Sequence, residues 1–126
     1  MSLVATALAF TGNEGQVVNT QPTQEQVYIT AQFREIEPRE YLRELAGPDF
    51  ELLDRIIYCE SGWKASAQNK TSSAGGLFQF LDSTWDRYSD LGMEKYNPYD
   101  NIRAGIALYK NEGTAPWDSS LGCWKK

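Results

Sequence analysis

The stretch Leu52–Trp63, LLDRIIYCESGW, sets the fold. Leu53, Ile56 and Ile57 recur at helical spacing and predict the buried stripe of a helix over roughly 49–61, ended by Gly62. Glu60 falls on the same stripe, two turns beyond Leu53. In a last helical turn a carboxylate meets the negative ends of unpaired carbonyls, and apolar neighbours strip its water. Both effects disfavour the ionised form. A carboxyl that keeps its proton near neutral pH is what a general acid requires, and glycoside cleavage needs such an acid at the leaving oxygen. The same letters also fit a glutamate that ends a helix and leans into water.

Composition narrows the chemistry. The 126 residues suit one compact domain, with net charge −5 and no basic patch of the kind that nucleic acid requires. No apolar run approaches the roughly 20 residues of a membrane span. There is no His, and two cysteines are too few for a cysteine-based metal site. No glycine-rich phosphate loop is present. Neither metal nor cofactor is expected, and acid–base work falls to Glu, Asp, Lys or Tyr.

Outward from that helix, the organisation is mostly α. Residues 1–37 read as an N-terminal linker or extended arm. Residues 1–9 within it are compatible with a secretion-signal remnant, or with a truncated or plain apolar start, and the alternation in 26–33 is strand-like. Residues 38–126 read as a small helical domain with at most a small hairpin. Pro38 opens a helix carrying Tyr41, Leu42 and Leu45, which Gly47-Pro48 stops. Asp82 reads as the N-cap of a helix to about Leu91, with Gly92 past its end. Asn97-Pro98-Tyr99-Asp100 is a cap, a first-position proline and a first-turn acid, predicting a helix to Gly113. The tail from Ala115 is too broken for a regular element. Trp85 reads as core, and Trp117 and Trp124 as anchors that pack the tail or as platforms for a sugar face. Trp63 is expected to help form the apolar setting of Glu60.

Between the helices, residues 64–76 are small and polar and end in Gly75-Gly76. Glycines let a ligand approach the backbone, and the amide of Gln79, flanked by Phe78 and Phe80, can donate and accept as sugar hydroxyls and acetamido groups require. A turn at the glycines fits too, Leu77, Phe78 and Phe80 read as core, and a purely structural role fits Gln79 as well as a binding one.

Taken in order, CESGW (59–63), AGGLFQFLDSTW (74–85), NPYDNIRAGIALY (97–109) and APWDSSLGCW (115–124) resemble the lysozyme-like domain of soluble lytic transglycosylases and of resuscitation-promoting factors. The match covers residues 49–126. It implies an α+β lysozyme-like fold with a catalytic groove, and cleavage of the β-1,4 bond between N-acetylmuramic acid and N-acetylglucosamine in peptidoglycan. On this resemblance Glu60 is the single catalytic glutamate. Gln79, Asn69, Gly76, Phe78 and Tyr109 are the candidate substrate-binding positions. The Ala-Tyr-Asn run that many transglycosylases carry late in the domain is not visible here.

The cysteines alone fit free buried thiols as well as a bridge; the resemblance implies a Cys59–Cys123 disulfide and an extracytoplasmic, monomeric protein whose partner is the glycan strand. Two other readings stand beside a lytic transglycosylase. A muramidase needs a second carboxylate, for which Asp82 and Asp86 are nearest in sequence. The third reading is a module that binds cell-wall glycan without cutting it.

Overall fold

The computed structural model describes residues 23–25 and 36–125. The expected signal remnant and the strand-like stretch 26–33 lie outside them.

Helix α1 (Pro38–Ala46) starts on its proline and ends at Gly47, whose φ of 56° opens the turn into α2 (Phe50–Ser61). Tyr41 and Leu42 of α1 and Leu53, Ile56 and Ile57 of α2 are fully buried, as the apolar spacing requires. The left-handed Gly62 closes α2 and donates its N–H to the Tyr58 carbonyl at 2.8 Å.

Helix α4 (Pro98–Glu112) is the centre of the domain: α1 and α3 (Asp82–Tyr88) both pack on it. The Asn97 side chain caps it, accepting from the N–H groups of Tyr99 and Asp100 at 2.9 and 3.1 Å. Asn101, Ile102, Ala104, Gly105, Ile106 and Leu108 are buried around most of its girth, the mark of a core helix.

Two expectations shift. Helix α3 ends at Tyr88 rather than near Leu91, and Asp82 lies inside its first turn with no side-chain cap. The Asp82 carboxylate goes instead to Lys95 Nζ at 2.6 Å; that ammonium is largely buried and takes the nearest anion. The tail is also more regular than its sequence suggests. It forms a 3-10 helix (Ala115–Ser120) followed by α5 (Leu121–Trp124), both packed on α2, with Trp117 and Trp124 buried. The Cys59–Cys123 disulfide joins α5 to the last turn of α2.

The loop from Gly62 to Leu81 carries only two isolated antiparallel bridges, Gln68–Gly75 and Gly75–Phe80. It is locked to α4 by interdigitation. A Cβ on Gly76, whose φ is 81°, would lie 2.2 Å from Asn101 Nδ2, and one on Gly105 would lie 2.1 Å from the Phe78 ring. The buried Asn101 accepts from Phe78 N at 2.9 Å and donates to the Lys95 carbonyl at 2.8 Å. The AGGLF and NIRAG motifs are thus two halves of one joint.

Candidate active site

Helix α2 carries two carboxylates in opposite settings. Asp54 accepts from Arg39 Nε and Nη2 at 2.9 and 2.6 Å and from Trp63 Nε1 at 2.9 Å. The guanidinium beside it holds its carboxyl below the usual carboxylate range, with the indole adding to the effect. Glu60 lies six residues on, about 120° around the helix, on the stripe of Ile56 and Ile57. It is half-buried, and among the described residues no Lys or Arg pairs with it. Among the described residues its carboxyl takes one hydrogen bond, from Ser120 Oγ to Oε2 at 2.5 Å. Desolvation raises its pKa above the ordinary 4.5, and the serine hydroxyl only partly opposes that. Two carboxyls on one helix are therefore pushed apart in acidity, the pattern that separates an acid from a permanent anion.

The tail reaches from Glu60 to the loop. Trp117 donates its indole N–H to the Phe78 carbonyl at 3.0 Å, and its own carbonyl receives the Trp124 indole at 3.0 Å and lies 3.1 Å from Ser120 Oγ. Beside Phe78, Gln79 adopts a left-handed φ of 55°. Its Nε2 donates to the carbonyls of Ala67 and Gly76 at 3.2 and 2.9 Å. Two carbonyl acceptors fix which end of the amide is nitrogen, so Oε1 is what Gln79 offers a ligand: an acceptor, with its donors already spent. A narrow crevice of about 60 Å³ separates Gln79 from Pro116 and Trp117.

Residues 44–116 match the family model described as the transglycosylase SLT domain. The chain belongs to that family. Probable transglycosylase SceD of Staphylococcus aureus, from strains Newman, USA300 and COL, is 36% identical to it over 70 residues. That stretch is 52% of this chain and 30% of each SceD protein, so this SLT domain corresponds to less than a third of the curated relatives' length. No solved structure matches.

Other expected positions of the SLT domain fall elsewhere. Tyr109 bonds Asp49 at 3.3 Å. Asp49 precedes α2, eleven residues before Glu60, so the Tyr109 hydroxyl is held at the end of that helix opposite Glu60. Asn69 folds its Oδ1 onto Thr71 N and Oγ1 and lines a polar depression with Ser72, Ser73, Lys95 and Tyr96. Glu60 does not line that depression. The Phe78 ring is 1% exposed, and Gly76 is buried against Asn101. Gly76 has no side chain to offer, and Phe78, though buried, borders the crevice beside Gln79.

Gly62 and Trp63 are both left-handed, at φ 62° and 63°, and the partly buried indole packs against the core with its N–H on Asp54. There it lines a depression of about 470 Å³ with Arg39, Asp54, Arg55, Tyr58 and the disulfide. Ser120 of the tail is the side chain that bonds the half-buried Glu60. The sequence reading missed Ser120. Its position in a tail with the tryptophans and Cys123 was the available signal, but nothing in the sequence pointed its hydroxyl at a particular carboxylate.

Proposed function

We propose that this SLT domain cleaves the β-1,4 bond between N-acetylmuramic acid and N-acetylglucosamine in peptidoglycan as a lytic transglycosylase, with Glu60 as its single acid and base. The observation that carries this reading is the contrast on α2: Asp54 is held ionised by Arg39, whereas Glu60 is half-buried with one hydroxyl as its partner. Protonated Glu60 donates to the glycosidic oxygen as the C1–O bond breaks. The carboxylate then takes the proton of the muramic C6 hydroxyl as O6 closes onto C1. The product is a 1,6-anhydro end, and no water is consumed. Gln79 Oε1 accepts a hydrogen bond from an acetamido N–H or a sugar hydroxyl. A hydrolase needs a second carboxylate to activate water or trap the cation. Residues 62–76 contain no acid, and Asp82 is engaged by Lys95. Reaction at the wall places the domain outside the cytoplasm, where a Cys59–Cys123 bridge persists.

The test is mass spectrometry of peptidoglycan digested by the wild type and by Glu60→Gln. Anhydro-muramic ends from the wild type and none from the variant are expected. Reducing muramic ends without anhydro ends would make the domain a muramidase, and equal digestion by both proteins would remove Glu60 from the chemistry.

A further inference from the structure

Ser120 Oγ stands 2.5 Å from Glu60 Oε2 and 3.1 Å from the Trp117 carbonyl. A hydroxyl has one proton to give. The Trp117 carbonyl already receives the Trp124 indole at 3.0 Å, so turning the hydroxyl toward Glu60 leaves no buried acceptor unpaired. Oε2 is then an acceptor, and the dissociable proton of the neutral acid belongs on Oε1. We propose that Ser120 is a positioning residue for Glu60: by donating to Oε2 it fixes the carboxyl orientation and leaves Oε1 as the atom that gives and regains the proton.

The same contact serves the second half of the cycle. When Glu60 has lost its proton, the Ser120 bond becomes charge-assisted and roughly doubles in strength, so it steadies the anion that must next act as a base. Among the described residues no other side chain bonds the Glu60 carboxyl. On α1, Arg39 is spent on Asp54 and Arg43 on Glu40, and on α2 itself Arg55 is spent on the Trp124 carbonyl. Among the described residues, neither Lys64 nor Lys125 forms an ion pair with Glu60, and the nearby acids Glu37, Glu44, Asp49, Glu51 and Asp118 carry the same charge and cannot. The disulfide holds the arrangement, since Cys59 precedes Glu60 and Cys123 follows Ser120 by three residues.

This inference rests on the proposed acid–base role of Glu60, so the experiment reads both separately. The full chain, carrying ¹³C-labelled glutamate, is titrated by NMR as wild type, Ser120→Ala and Ser120→Thr, alongside pH profiles of peptidoglycan cleavage. In Ser120→Ala the Glu60 midpoint is expected to rise by about one pH unit. Its kcat falls about tenfold with KM changed less than twofold, while the melting temperature holds, and Ser120→Thr restores both readings. An alanine variant with the wild-type midpoint and kcat would overturn the proposal. So would a loss of activity that tracks a loss of folding and is not rescued by threonine. If Glu60→Gln still cleaves, the functional reading fails while the titration still reports on the Ser120 contact. If Glu60→Gln is dead and Ser120→Ala is wild-type in both measurements, only the positioning role falls.

Discussion

Trp117 hands its indole proton to the backbone carbonyl of Phe78 at 3.0 Å, which keys the segment carrying Ser120 to the loop carrying Gln79. Removing the ring opens a large cavity, so Trp117→Ala should cost about 3–5 kcal/mol in urea unfolding. Trp117→Phe keeps most of the packing but strands a buried acceptor, for about 1–3 kcal/mol. Equal losses from the two variants would contradict this division.

The joint between loop and α4 gives a second expectation. Gly→Ala inside a helix ordinarily gains up to about 1 kcal/mol. At Gly105 the added methyl would sit 2.1 Å from the Phe78 ring, and overpacking of that kind costs about 1–3 kcal/mol. Gly105→Ala should therefore destabilise, by about 1–2 kcal/mol. Gly76→Ala should be worse, at about 3 kcal/mol or more, because its φ of 81° adds backbone strain. Thermal melts of the two variants check the sign and the order.

Cutting the Cys59–Cys123 bridge by a double Ser substitution frees a loop of sequence separation 64 and should cost about 4 kcal/mol. Activity should fall further than the folded fraction does, because the bridge also seats Ser120 beside Glu60. Comparing turnover with the folded fraction by circular dichroism separates the two effects.

The acidity of Glu60 has a stability counterpart. Its folded pKa lies above the unfolded 4.5, so the native state binds the proton more tightly. The stabilisation this gives is complete below pH 4.5 and is lost as pH rises through the folded pKa. Glu60→Gln has no such dependence. It should match the wild type near pH 4 and exceed it near pH 8 in denaturant midpoint. A gap that widens toward acid would reverse the assigned sign.

Tyr109 offers a negative control. Its hydroxyl meets Asp49 at the far end of α2, so Tyr109→Phe should leave kcat/KM within about twofold and cost about 1 kcal/mol of stability. A loss of a hundredfold in kcat/KM would put Tyr109 back beside the substrate.

The helices were legible because each rests on local signals. Pro38, the Asn97 cap and the Leu53–Ile57 stripe state their roles within one or two turns of chain. What escaped was set by distant partners. Asp82 looks like a cap until Lys95, thirteen residues on, claims its carboxylate. The bond from the Trp63 indole to Asp54, nine residues back, depends on two successive left-handed residues that no local pattern announces. Ser120 is an unremarkable serine until the bridge brings it sixty residues back along the chain to Glu60. Of the candidate site, the apolar stripe marked Glu60 as off-pattern without deciding its role, and only the family resemblance singled it out. The geometry around it could not be read, since it depends on a tail whose order comes from packing rather than propensity.

The left-handed backbone at Gln79 limits how this protein can diversify. In the proposed role, a position that supplies a hydrogen-bond acceptor and also tolerates that handedness excludes valine, isoleucine and threonine on steric grounds. Alanine and leucine fit little better and bring no acceptor. Adaptation to a differently decorated glycan is therefore channelled away from this codon, toward neighbours whose main chain accepts any residue.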